Sequence, residues 1–294
     1  MSDWDGFDEI VAVADTGSFV AGARLLGLST SHISRAVKRL ENRIEAQIFA
    51  RTTRSVTLTD TGRVLIDQCR RIIQERDEAL ALVRGSEDPH GELRVTCSIA
   101  LGERFVAPIA RRFAEDFPRV SVSLDLNNRL TDLISEGFDL AIRTGTLSDA
   151  RLVGTQVATR GLYLCAAPAY WDRFGRPECV EDLGRHQCLV GTVPVWQFVI
   201  DGQARTFEPT ARWRCNSGRA MVDAMLAGLG VSQLPEFYVQ RLIRDGMLEP
   251  VLEEIRCEDE PIFAAYPQRR HLLPKVHRFV ERLSEELPAA MAAG

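Results

Sequence analysis

The chain has 294 residues, of which 45% are hydrophobic and 26% charged, with a net charge of -5. That length holds apolar material for two or three cores, and the acidic balance excludes a uniform polycation that would coat nucleic acid without discrimination. No apolar run approaches the ~20 residues needed to cross a bilayer, and the acidic N-terminus lacks a basic segment followed by an apolar one. The expectation is a cytoplasmic protein with reduced thiols and no membrane partner.

Trp4, Phe7, Ile10, Val11 and Ala14 recur at helical spacing and predict a core helix stopped near Gly17. Phe19, Ala23 and Leu26 share one face of a second helix, where Gly22 leaves room for the next helix to cross closely. Gly27 suits a left-handed turn, and Ser29 can cap a third helix. In that helix Ile33, Ala36, Val37 and Leu40 form the inner stripe, leaving Thr30, Ser31, His32, Ser34, Arg35, Lys38 and Arg39 outward. A glycine turn before a polar, basic second helix is the pattern of a helix-turn-helix. Between Arg24 and Arg63 eight basic residues stand against three acidic ones, a local balance of +5 inside an acidic chain. Residues 48–59 alternate around Arg51-Thr52-Thr53-Arg54 and predict a hairpin wing, with a plain solvated loop as the bland alternative.

From Asp60 to about Arg84 there is no proline, and Leu65, Cys69, Ile72, Arg76, Ala79 or Leu80, and Val83 recur at alternating four- and three-residue steps. The helix would be roughly 35 to 40 Å long, and its apolar seam wants a partner: a second subunit, or its own chain. Residues 85–91 are polar and broken by Pro89 and glycines, so they predict a hinge. Beyond it, strands (93–96, 120–126, 140–143) alternate with helices (105–117, 130–136), which argues for a parallel sheet covered on both faces. A second such unit starts at 161–166 with helices at 221–227 and 237–245, and residues 262–266 and 274–287 return to the first.

Ser29-x-x-x-Ile33-Ser34-Arg35, Leu40-Glu41, Ile48-Phe49-x-Arg51-Thr52-Thr53-Arg54 and Leu58-Thr59-x-x-Gly62 together resemble a LysR-type transcriptional regulator. The resemblance continues in the run from Glu136 to Arg143 and in Ala227-Gly228-Leu229-Gly230-Val231 with Leu234-Pro235, and so covers nearly the whole chain. It implies an α/β fold in three parts. These are a winged helix-turn-helix DNA-binding domain (1–59), a linker and dimerisation helix with its hinge (60–90), and an effector-binding domain (91–294) of the two-lobed type 2 periplasmic-binding-protein-like kind. Lobe I would span about 91–160 and 266–294, lobe II about 161–265. The resemblance further implies double-stranded DNA as partner, wing contacts to the DNA backbone or minor groove, a homodimer through the linker helix and a homotetramer, with room for a contact to RNA polymerase. Two departures stand out: Glu45 replaces the family's usual glycine, and Thr30-Ser31 replace a common glutamine and proline.

The DNA-binding set is then Ser29, Thr30, Ser31, His32, Ser34, Arg35, Lys38, Arg39, Arg51, Thr52, Thr53 and Arg54. Arg35 and the first-turn residues would read base edges, while Lys38, Arg39, Arg51 and Arg54 sit on phosphates; His32 would reach a base or phosphate, or simply face solvent. Ligands of open parallel sheets bind beyond the carboxyl ends of the strands. This edge gives Thr96, Cys97, Ser98, Asn127, Arg143, Thr146, Ser217 and Gly218, with Trp196 as a wall between lobes or as core. Hydroxyls and free amides there suit a small anionic effector. Because the family includes peroxide sensors, Cys97 also raises redox sensing, against the plainer reading of a buried small side chain. The seven cysteines contain no C-x-x-C pair, and no zinc spacing, metal site or cofactor motif is present. No G-x-S-x-G, Walker or G-x-G-x-x-G run points to an enzyme. A small-molecule binder with a vestigial DNA module and a ligand-independent architectural DNA binder are the competing classes.

Overall fold

The computed structural model describes residues 4–51, 56–83, 88–129, 131–145, 147, 149–268, 270 and 273–293. The chain divides into two compact units, 1–87 and 88–294.

The first unit begins with α1 (Phe7–Thr16), α2 (Phe19–Leu26) and α3 (Thr30–Arg43). Ile10 and Val13 of α1, Ala23 of α2 and Ile33, Val37 and Leu40 of α3 meet in one core. Gly27 takes φ +66° at the turn, and the Leu28 amide donates back to the Ala23 carbonyl 2.9 Å away. Ser29 Oγ accepts from the His32 amide and caps α3. Two details depart from expectation. Trp4 is 60% exposed, lying edge-on to Phe7 outside the core. Gly22 faces the first helix rather than the third: a Cβ there would stand 3.1 Å from the backbone at Ala12 and Val13. The close crossing is therefore α1 on α2.

The wing pairs β1 (Phe49–Arg51) antiparallel to β2 (Val56–Leu58). Glu41 Oε1 accepts from the Ile48 and Phe49 amides, tying α3 to the wing. Thr59 Oγ1 donates to the Gln47 carbonyl at 2.6 Å and accepts from the Gly62 amide at 2.9 Å, which fixes the start of α4 (Asp60–Val83). The 24 residues of α4 span about 36 Å. Its first half packs on its own unit, burying Ile66 and Cys69, while Leu65 is only half-buried. Arg76 pairs with Asp8 at 2.8 Å and Arg70 pairs with Asp15, clamping α4 to α1. Further along, Leu80 is 48% exposed. Of the expected hinge, residues 85–87 lie outside the described residues.

In the second unit, β3 (Gly91–Cys97) leads through a helical turn, α5 (Ile99–Leu101), and a π-turn at 102–106 into α6 (Ala107–Asp116). There follow β4 (Val120–Leu126), α7 (Leu133–Glu136), β5 (Leu140–Thr144) and β6 (Leu152–Arg160). The chain then builds β7 (Leu162–Ala166), α8 (Pro168–Phe174), β8 (Cys188–Val190), the hairpin β9 (Trp196–Ile200) and β10 (Gln203–Phe207), β11 (Ala211–Arg214), α9 (Gly218–Leu226), β12 (Ser232–Pro235), α10 (Glu236–Arg244) and β13 (Glu249–Pro250). It returns through β14 (Glu260–Pro267) and closes on α11 (Pro274–Ala293).

Lobe I is a five-stranded sheet in the order β4-β3-β5-β14-β6, packed against α6 and α11 through Phe105, Phe113 and Phe279. β3 runs parallel to both β4 and β5, whereas β14 runs antiparallel to both β5 and β6. The expected parallel sheet is thus mixed, because β6 leaves for lobe II and β14 comes back beside it, a pairing that needs no helical crossover. Lobe II holds three small sheets, β12-β7-β13, β8-β11 and β9-β10, around cores that include Tyr170, Trp196 and Met221. The lobes join twice, at Gly161 and ahead of Glu260, where Arg160 and Glu260 lie opposite in register. The return strand thus starts earlier than the expected boundary near 266.

Candidate functional site

On α3 the inner stripe is fully buried, which leaves Ser29, Thr30, Ser31, Arg35, Lys38 and Arg39 exposed and Ser34 and His32 half-buried. Arg35 Nε donates to the Ser31 carbonyl 3.2 Å away, which folds its stem along the helix surface. Among the described residues Lys38 and Arg39 have no carboxylate partner. A helix that presents cations, hydroxyls and a capped N-terminus on one face suits phosphates and base edges alike. His32 differs from the others, since its Nε2 lies 3.3 Å from Glu9 Oε1 on α1. The Arg51 side chain, Thr52, Thr53 and Arg54 lie outside the described residues.

α3 ends in a tight reversal. The Ile44 amide donates to the Leu40 carbonyl and the Ala46 amide to the Glu41 carbonyl, and between them Glu45 takes φ +53°. That is the left-handed position where glycine is usual.

In the second unit a cleft of about 470 Å³ opens between the lobes. Of the residues expected there, Ser98, Asn127, Arg143, Trp196 and Gly218 line it. Trp196 does so while also sitting in the lobe II core, 2% exposed. Three others do not line it. Thr96 and Cys97 are fully buried at the end of β3, which is flanked by β4 and β5. Ser217 Oγ accepts from the Ala220 amide, so it caps α9. Thr146 lies outside the described residues.

Thr96 nonetheless shapes the site. Its Oγ1 accepts from Arg143 Nη2 at 3.2 Å and from Asn127 Nδ2 at 3.3 Å, and Arg143 Nη2 also donates to Thr131 Oγ1 at 3.2 Å. Among the described residues Arg143 has no carboxylate within salt-bridge distance. Burial lowers its pKa from the usual arginine range, yet a guanidinium stays charged throughout the physiological range. The other two arginines of the cleft are neutralised: Arg129 pairs with Glu136 at 2.6 Å, and Arg160 with Glu260 at 2.8 Å.

Residue types at strand ends did not reveal Glu260, Gln197 and Gln233. Glu260 Oε1 accepts from Gln197 Nε2 at 3.2 Å, and Gln233 Oε1 accepts from the Gln197 amide at 2.9 Å, carrying hydrogen bonds from one lobe to the other across the cleft floor. Asn128 Nδ2 donates to the Asn216 carbonyl at 2.7 Å, a second link between the lobes. The register that brings Arg160 opposite Glu260 is the signal for this floor, and it becomes readable only once β6 and β14 are paired. Burial pushes the Cys97 thiol up to about 12, the opposite of the lowered pKa that a reactive thiolate needs. Among the described residues no helix is long and apolar enough to cross a membrane, and no group of three His, Cys, Asp or Glu could hold a metal.

A winged helix-turn-helix in one unit and a two-lobed domain with a cleft in the other define a DNA-binding transcriptional regulator that carries a substrate-binding domain. Residues 7–63 match the family described as bacterial regulatory helix-turn-helix protein, lysR family, and residues 86–288 match the LysR substrate binding domain. The chain belongs to the LysR family of transcriptional regulators. It is 31% identical to the HTH-type transcriptional activator AaeR of Escherichia coli strain K12, over 93% of this chain and 90% of that protein. To the HTH-type transcriptional regulator PtxR of Pseudomonas aeruginosa it is 34% identical, over 94% and 90%. The solved structure of CrgA, a LysR-type transcriptional regulator from Neisseria meningitidis, superposes with a TM-score of 0.59 at 30% identity, covering 98% of this chain and 99% of that one. These relatives are regulators and not enzymes.

Proposed function

We propose that this chain is a ligand-modulated DNA switch whose α3 enters the major groove and whose cleft takes a small anionic metabolite. Arg35 and the first-turn residues Thr30 to His32 read base edges, with Ser29 and Ser34 beside them. Lys38 and Arg39, together with the wing residues Arg51 to Arg54, hold phosphates. Two copies pair through α4, pairs assemble into tetramers, and the assembly works in the cytoplasm beside RNA polymerase.

Arg143 carries the anionic reading. A half-buried cation held by two threonine hydroxyls, with no carboxylate among the described residues, is balanced best by a negative group brought in by a ligand. The apolar walls around it (Leu162, Val193, Trp196, Met221) suit a compact carbon skeleton. The test is a thermal-shift screen of small organic anions on the full-length protein, with Arg143→Met alongside. An anion at 100 times its Kd should stabilise the wild type by about 2.7 kcal/mol and leave the variant unmoved; equal stabilisation of both would remove Arg143 from the site. Capture of genomic fragments by wild type and Arg35→Ala tests the other end, since discrete sites should be lost in the variant.

A further inference from the structure

Among the described residues, His32 is the one member of the outward set of α3 whose side chain is hydrogen-bonded to another helix. A carboxylate offers lone pairs and no hydrogen, so Glu9 Oε1 at 3.3 Å assigns the proton of a neutral ring to Nε2 and leaves Nδ1 as an acceptor. Nδ1 has no partner among the described residues. His32 keeps 44% of its side chain exposed while Glu9 keeps 15%, so the carboxylate is committed to the body of the domain and the imidazole remains accessible. The neighbouring Arg35, Lys38 and Arg39 can only donate. In the major groove the exocyclic amines belong to adenine (N6) and cytosine (N4), whereas guanine and thymine present acceptors. The acceptor that the neutral ring presents in the first turn therefore adds a discrimination that the arginines and the lysine cannot make.

We propose that Glu9 is a positioning residue that fixes His32 as a hydrogen-bond acceptor, so that α3 selects an adenine or cytosine amine at one operator position. This rests on the reading of α3 as the helix that enters the major groove. A merely structural tie between α1 and α3 makes a different prediction, because breaking it would weaken binding to every sequence alike.

The experiment uses the full-length protein at neutral pH. Nitrogen-15 labelling of histidine reports the His32 tautomer, and selection from randomised operators reports base preference for wild type, His32→Ala, Glu9→Ala and Arg35→Ala. The Nε2–H tautomer is expected in wild type, with adenine or cytosine enriched at one position. His32→Ala should lose about threefold to tenfold of that enrichment, the worth of one hydrogen bond. Glu9→Ala frees the ring to adopt either tautomer, so guanine and thymine should become tolerated at the same position while the other positions hold. An Nδ1–H tautomer in wild type, or an unchanged preference in His32→Ala, overturns the proposal and leaves the role of α3 intact. Wild-type selection with no enrichment at any position, matched by Arg35→Ala, overturns that role and the proposal with it.

Discussion

Glu45 is the residue whose replacement should strengthen the DNA-binding unit. At φ +53° its Cβ sits in the left-handed region, held there because the Ala46 amide must reach the Glu41 carbonyl 3.1 Å away to close α3. That conformation costs an L-residue about 1 to 2 kcal/mol, and a glycine returns about 0.4 to 1 kcal/mol of the gain through the freer unfolded chain. Glu45→Gly should therefore stabilise α3 by about 1 kcal/mol relative to Glu45→Ala, the control that removes the carboxylate from the helix C-terminus and keeps the Cβ. Hydrogen exchange read by mass spectrometry on peptides from α3 resolves this within the intact chain, where 1 kcal/mol means about fivefold slower exchange. Exchange no slower in Glu45→Gly than in Glu45→Ala would refute the strain argument.

Gly62→Ala should act in the opposite direction: its Cβ would overlap the Ile48 carbonyl oxygen, so the start of α4 must shift off the wing at a cost of about 1 to 3 kcal/mol, visible as a lower melting transition and weaker operator binding. In lobe I, Asp139 is 1% exposed and lies 3.3 Å from both Lys275 and Arg270 while accepting from the Arg94 amide. Asp139→Asn removes the negative charge facing two buried cations and should cost about 3 to 5 kcal/mol in urea unfolding; a loss below about 1 kcal/mol would count against that account. Burial pushes the thiols of Cys97 and Cys165 up to about 12 and those of Cys69 and Cys188 up to about 11, so iodoacetamide at pH 8 should label exposed Cys179 and half-buried Cys215 first. Early labelling of Cys97 would reopen the redox reading.

Legibility in this chain tracks how local the cause is. Gly27, the Ser29 cap and the buried stripe of α3 are set by neighbours within a turn or two, and all could be read from spacing. Gly22 announced a close contact, but which helix supplied it depended on packing between elements, and that part of the reading failed. Trp4 kept the helical period without burial because it precedes α1, where the chain has not yet entered the core. β6 and the β9-β10 hairpin were passed over because their half-exposed strands mix Thr, Gln and Arg with apolar residues and lack clean alternation. For the cleft, strand ends point to Ser98, Asn127 and Arg143, which line it, whereas Thr96 and Cys97 lie buried inside the end of β3, a depth that the sequence position alone does not report. Gln197, Gln233 and Glu260 meet only through the topology.

The paired exit and return of the chain between the lobes has a mechanical consequence. β6 and β14 are hydrogen-bonded neighbours up to the point where they leave lobe I, so the connection is a two-stranded ribbon and not two separated tethers. A ribbon bends easily across its flat face and resists shear in its own plane, because shear would break the ladder. Gly161, where a Cβ would crowd Arg256, Glu236 and Asp259, is a narrow point on that ribbon. The ribbon is not the whole of the joint: Phe237 of α10 packs into the lobe I core against Phe105, and Arg104 donates to the Phe237 carbonyl, so a change in the angle between the lobes would have to work against that apolar seat as well as bend the ribbon.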